Sequence, residues 1–200
     1  VIANPWGITC NGCGFVNTPR VTLTTGRPTI SNGLLAGFTI TGGQLAVTGD
    51  GLDASRQSAL DLIARSILVD GDIFVGSPRN SLSGELGLFA GAHSFDYATR
   101  TGSAAVGEGA APQFAIDSSA LGGMYADRIQ LLVDEHGAGV RMAGDLAALA
   151  DDLTIRANGG IEVRGATSAA RDLFISGTTV DLSLADADTF VYGARDLSLT

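Results

Sequence analysis

The 200 residues are 45% hydrophobic and 16% charged, enough apolar material for a sizeable core and too much for intrinsic disorder. Twelve arginines, no lysine and 21 acidic residues leave a net charge of -9, which repels phosphate backbones and anionic lipid and excludes nucleic acid as an expected partner. Glycine at 28 with only 5 prolines and no Gly-X-Y period excludes collagen, and no apolar run reaches the roughly 18 residues of a membrane-spanning helix, so no membrane insertion is expected.

In chain order, Val1-Ile2-Ala3 reads as a strand that begins mid-course, and a piece of a longer chain is expected. Asn4-Pro5-Trp6-Gly7 has the chemistry of a tight corner, since Asn and Pro initiate turns and Gly supplies a positive φ. Trp6, the single tryptophan, is expected to cover an open end or flank of the core. Cys10 and Cys13 form a lone C-x-x-C; zinc needs about four ligands, and only His93 and His136 remain, both distant in sequence. The β-rich continuation from Phe15 to Thr25 argues against a thioredoxin-like helix start. A local disulfide pinning the Asn-Gly turn and two reduced thiols in a core remain as readings.

Residues 20–26, 37–41 and 44–48 alternate apolar and polar positions as half-buried strands do, and Gly42-Gly43 reads as a tight turn joining the last two. Asp50-Gly51-Leu52-Asp53 and Asp70-Gly71-Asp72 carry oxygen ligands in glycine-rich turns but match no calcium loop, so solvated turns are expected. Between them Leu60, Ile63, Ile67 and Leu68 leave helix and strand both open for 59–69. His93 and His136 stand without a motif partner and read as solvent or turn histidines; no cofactor is implied. Residues 98–112, rich in Gly, Ala, Ser and Thr, have no periodicity and read as a loop or hairpin leaving the main body.

From there the chain repeats. Asp127-Arg128-Ile129-Gln130-Leu131, Asp151-Asp152-Leu153-Thr154-Ile155, Arg171-Asp172-Leu173-Phe174-Ile175 and Arg195-Asp196-Leu197-Ser198-Leu199 share one pattern at spacings of 24, 20 and 24. Between them run Gly139-Val140-Arg141-Met142, Gly160-Ile161-Glu162-Val163 and Thr179-Val180-Asp181-Leu182. A unit of about 20 residues with two or three short strands is one coil of a β-helix. The expected fold is all-β, a right-handed parallel β-helix of about nine coils, on the order of 45 Å long, with one or two extra hairpins or loops. Ile129, Leu131, Leu153, Ile155, Leu173, Ile175, Leu197 and Leu199 would form two inward columns. Both ends of such a rod present unpaired strand edges, so fraying or end-to-end association of residues 1–8 and 197–200 is expected.

Asn4-Pro5-Trp6-Gly7-Ile8, Asn11-Gly12-Cys13-Gly14-Phe15-Val16-Asn17-Thr18 and Arg20-Val21-Thr22-Leu23-Thr24-Thr25-Gly26 resemble the second half of the secretion domain of filamentous-haemagglutinin-like two-partner secretion exoproteins. Ala64-Arg65-Ser66-Ile67, Leu88-Phe89-Ala90-Gly91-Ala92 and Tyr97 are similar to later elements of that domain, and 120–141 to its passage into haemagglutinin repeats. Two departures stand out: the family's usual motif has Asn where Trp6 stands, and the family's first, more amino-terminal motif and capping strands are absent, so this chain is not expected to be secretion-competent alone. The resemblance implies a secretion motif at Asn4, Pro5, Trp6, Gly7 and Ile8. It also implies a division into the carboxy-terminal part of the secretion domain at 1–117 and haemagglutinin-type repeats at 118–200.

By the same resemblance the whole would be a non-enzymatic structural module of a large Gram-negative exoprotein, an adhesin or a carrier of a contact-dependent growth-inhibition toxin. It would pass through the periplasm, be exported by a partner outer-membrane transporter, and meet a receptor on a host or neighbouring cell while secreted or held at the cell surface. The competing reading is a β-helix enzyme cleaving polysaccharide with clustered carboxylates on one face. Against it, Asp152, Asp172 and Asp196 stand beside Arg128, Arg171 and Arg195 at coil corners, as charge ladders would.

Overall fold

The computed structural model describes residues 1–76, 83–184 and 189–200, and all of its regular structure is β. Three parallel ladders wrap one core. The first, face A, contains β1 (Ile2–Ala3), β3 (Arg20–Thr24), β7 (Ala59–Ala64), β10 (Glu85–Ala90), β15 (Arg128–Val133), β18 (Leu153–Ala157), β21 (Asp172–Ser176) and β24 (Asp196–Leu199). Face B follows the first seven of these with β2 (Ile8–Gly14), β6 (Gln44–Ala54), β8 (Ser66–Asp70), β13 (Phe114–Ser118), β16 (Gly139–Met142), β19 (Gly160–Val163) and β22 (Thr179–Asp181). Face C closes the coils with β9 (Ile73–Val75), β14 (Met124–Ala126), β17 (Leu146–Ala148), β20 (Thr167–Ala169) and β23 (Val191–Gly193). In the first two coils β2 and β6 bend and serve faces B and C at once: Gln44–Thr48 pair with β8, and Leu52–Ala54 pair with β9.

Period-2 burial makes the core. On face A, Leu60, Leu86, Ile129, Leu153 and Leu173 form one inward column and Leu62, Leu88, Leu131, Ile155 and Ile175 the next, all at most 1% exposed. Leu197 and Leu199 hold the same register but are 42% and 45% exposed, because no described strand lies beyond β24. Face B adds Ile67, Ile116, Val140 and Ile161, and face C adds Ile73, Met124 and Leu146. Within 59–69 the structure selects strand, and residues 59–64 are buried on both sides.

That two-sided burial comes from a fourth sheet outside the rod. β4 (Arg27–Ser31) and β5 (Leu34–Ile40) leave the second coil between faces A and B; β11 (His93–Asp96) and β12 (Thr101–Ala104) leave the fourth coil at the same corner. They pair antiparallel in the order β12-β11-β5-β4 and bury Phe38, Ile40 and Phe95 against Ile63 and Phe89, which face outward on face A. Phe89 and Phe95 approach to 4.8 Å between ring centroids, and Tyr97 meets Phe38 edge-on at 5.9 Å. Beside them Asp61, wholly buried, accepts from Arg20 at 2.6 Å and Arg100 at 2.7 Å. Each guanidinium also lies over an aromatic ring, Arg20 over Tyr97 and Arg100 over Phe89.

Three expectations change here. Among the described residues face A holds eight strand levels where about nine coils were expected, and β4, β5, β11 and β12 take chain out of the rod. Strands 37–41 and 44–48 do not form a hairpin, since β5 pairs with β4 and β11 while β6 pairs with β2, β8 and β9. Gly42-Gly43 is instead the corner where the chain re-enters the rod. His93 is no solvent histidine: it is fully buried at the start of β11 in the outer sheet, with Nδ1 2.7 Å from Gly91 O and Nε2 without a partner among the described residues. Burial pushes its pKa down, against smaller upward pulls from the Gly91 carbonyl, Asp134 and Glu135.

Candidate functional site

The corner between faces A and B stacks one turn per coil. In the first coil that turn is Asn4–Gly7. Asn4 N–H donates to Thr24 O at 2.9 Å, which ties the turn to the coil below. Within it, Gly7 N–H donates to Asn4 O at 3.1 Å, Asn4 Nδ2 donates to Gly7 O at 2.9 Å, and Trp6 N–H donates to Asn4 Oδ1 at 3.2 Å. The Asn4 amide thus closes the turn from both sides. Gly7 sits at φ +129, where a side chain would be strained, and Ile8 then starts β2 opposite Leu45.

Trp6 does not cover the core. The turn projects its side chain outward and leaves it 92% exposed, while the Asn4 amide closes the turn and the Pro5 carbonyl lies against Gly43. In the next coil Gly43 has φ +81, and a Cβ there would stand 2.7 Å from Pro5 O and 2.7 Å from Thr25 Cβ, so only glycine fits. Thr25 Oγ1 donates to Gly42 O at 2.9 Å and fixes the same corner.

The third, fourth and fifth coils lock the corner from the other side. Arg65 pairs with Glu135 at 2.8 Å, and its guanidinium also donates to the carbonyls of Glu108, Gly109 at 3.3 Å and Ala110 at 3.0 Å. Glu135 accepts in addition from Ala92 N–H at 2.8 Å. Hydrogen bonding from Arg65 holds the Glu135 carboxyl below its ordinary range, outweighing desolvation, and the Arg65 pKa rises in turn. The aperiodic segment 98–112 is therefore a hairpin arm with a return loop clamped by one arginine. Glu108 on that loop accepts from Thr41 Oγ1 at 2.8 Å and reaches Gly42. Pro5, Trp6, Thr25, Arg27, Thr41 and Glu108 are among the residues that enclose a cleft of about 210 Å³ here.

Cys10 and Cys13 lie at the opposite corner of the first coil, where β2 bends, and their sulfurs are joined. Cys10 is buried with the core and Cys13 packs partly against it. Asn11 Oδ1 between them accepts from Asp50 N–H at 3.0 Å. The acidic turns below brace successive coils: Asp70 accepts from Ser119 Oγ, and Asp72 from Gly123 N–H at 3.0 Å. At the third corner Arg128 and Arg171 share Asp151, at 2.6 and 3.1 Å, and Arg195 pairs with Asp172, so the charged repeat positions form ion-pair ladders. His136 is exposed. The sequence reading named Arg65 only within a family resemblance and missed its role, along with Glu108, Glu135 and Asp61, whose partners lie 39 to 70 residues away.

With this geometry in place, likeness to known proteins becomes interpretable. The family model described as TPS secretion domain matches residues 1–163. The chain is 42% identical over 171 residues to "tRNA nuclease CdiA-2" of Burkholderia pseudomallei, covering 85% of this chain and 5% of that protein. It is 41% identical over 177 residues to "Toxin CdiA" of Yersinia pestis, covering 88% of this chain and 5% of that protein. The chain thus spans about a twentieth of these relatives' length. A crystal structure of the filamentous haemagglutinin secretion domain superposes with a TM-score of 0.81 at 30% identity, covering 98% of this chain and 63% of that one.

Proposed function

Because the chain belongs to the TPS secretion domain family, we propose that it directs a large exoprotein through a partner outer-membrane transporter and then nucleates the β-helix outside the cell. The observation that carries this reading is the family match over residues 1–163, together with a first coil that closes on its own turn and stacks directly on the second. In a parallel rod every backbone group finds its partner one coil away, so a chain that emerges end-first folds by adding one level at a time.

In this reading Asn4, Pro5, Trp6, Gly7 and Ile8 are the secretion motif, contacted by the transporter before the turn closes. The secretion part runs through 1–117 and haemagglutinin-type repeats occupy 118–200, which the plain three-strand coils from β15 onward support. The product would be exposed at the surface of a Gram-negative cell after crossing the periplasm, as an adhesin or toxin carrier facing a receptor on another cell. The module does no bond chemistry here, and the nuclease names belong to relatives of which it spans 5%. Co-expression of the full exoprotein with a two-partner secretion outer-membrane transporter tests the proposal. Secretion of the wild type into the medium, and its loss with Asn4→Ala, is the expected result; equal secretion with and without transporter overturns it.

A further inference from the structure

The cleft beside the Asn4–Gly7 turn gathers side chains that the rod does not use. Trp6 presents its indole to solvent, and Arg27 has neither an ion pair nor a side-chain hydrogen bond among the described residues. Among the described residues Glu108 has no cationic side chain paired to its carboxylate, which accepts from the Thr41 hydroxyl. We propose that this cleft binds one pyranose residue of an extracellular glycan.

The chemistry matches on three counts. A flat indole face suits the apolar C–H face of a sugar ring. A carboxylate and a guanidinium beside the threonine hydroxyls of Thr25, Thr39 and Thr41 supply acceptors and donors for adjacent sugar hydroxyls. The volume of about 210 Å³ lies below the usual drug-sized pocket of roughly 300–1,000 Å³ and suits a single ring.

The cleft is also built in advance. Asn4 holds the turn carrying Trp6, glycine-only packing at Gly43 fixes the floor, and the Arg65–Glu135 pair fixes the loop carrying Glu108. Little ordering is then left to oppose binding. Residues 6, 27, 39, 41 and 108 come together only after four coils have closed, so the cleft exists in the folded protein and not in a chain under export. The inference therefore stands apart from transporter recognition.

The single tryptophan makes the site its own reporter. The 200-residue chain is titrated with glucose, galactose, N-acetylglucosamine and glucuronic acid oligosaccharides. Two further arms, mammalian glycoprotein glycans and purified bacterial lipopolysaccharide, distinguish a host from a bacterial source. A saturable change in Trp6 emission with at least one probe is expected. On an immobilised array of the same probes, Trp6→Asn, Arg27→Ala and Glu108→Gln should each weaken binding by about tenfold or more, as hot-spot truncations do. Arg27→Ala and Glu108→Gln should keep the wild-type melting curve and wild-type secretion. No saturable response to any probe overturns the inference, as does glycan binding that survives Trp6→Asn. Failure of the transporter reading would appear separately, as secretion unaffected by Asn4→Ala.

Discussion

The rod and the sheet on its flank meet at the same corner, yet they are built by opposite means. Rod strands are parallel, and each buried aliphatic sits between near-equivalents one coil above and below, as Leu131 does between Leu88 and Ile155. The outer sheet is antiparallel and occurs once. Its strands come from the second and fourth coils, skip the third, and are held by Phe38, Phe89, Phe95 and the Asp61 ion pairs. Repetition makes the rod tolerant in detail and cooperative along its length. The outer sheet depends on a few specific contacts, so it should open while the rod persists.

The sharpest way to break this contrast is to cut each region in its centre. Ile155→Ala should cost about 4 kcal/mol and lower the denaturant midpoint of the whole rod, because the cavity lies between two coils that cannot collapse on it. Phe95→Ala should cost about 3 kcal/mol. Its signature differs: hydrogen exchange should accelerate in β4, β5, β11 and β12 while β15 and β18 stay protected. Equal acceleration in the rod would erase the distinction between the two regions.

A smaller effect tests the first coil. Cys10 and Cys13 are expected to be oxidised to each other in the mature protein, so labelling the protein unfolded without reductant should find no free thiol. The loop between them is short, and reduction should cost at most about 2 kcal/mol. Two reactive thiols per chain would remove the disulfide from the account.

The smallest effect is titration of His93. Its folded-state pKa is depressed by burial, so below the ordinary value of 6.5 the unfolded form binds the proton and the buried form resists it. Stability of the outer sheet is therefore complete above about pH 6.5 and falls as pH drops below it, by up to about 1.4 kcal/mol per unit until the folded pKa is reached. Asp134 and Glu135 oppose the shift and limit the window. Exchange rates in β11 and β12 between pH 7.5 and 5.5 should show the loss, and His93→Phe should flatten the slope. A pH-independent wild type would show that His93 is protonated without cost.

Much of the rod was legible because its signal recurs. The motif ending Ile129-x-Leu131, Leu153-x-Ile155 and Leu173-x-Ile175 states both the strand and its inward face, and the structure holds that register without a slip. Face C was nearly silent: Thr167-Ser168-Ala169 and Leu146-Ala147-Ala148 are short strands of small residues that resemble loop composition. The outer sheet misled for a related reason. Phe38 and Ile40 have the period of a strand but carry no information about the partner, and that partner, Phe95, lies 57 residues from Phe38.

Composition and repetition alone specify an all-β solenoid here, because alternation along the chain is a local property and stacking of equivalents follows from it. They also specify the Asn4–Gly7 turn, whose hydrogen bonds close within four residues. The burial of His93, the role of Arg65 and the cleft between Trp6, Arg27 and Glu108 depend on which coils lie next to one another at a single corner. No local pattern encodes that, since each of those contacts joins residues that meet only after the coils between them have closed.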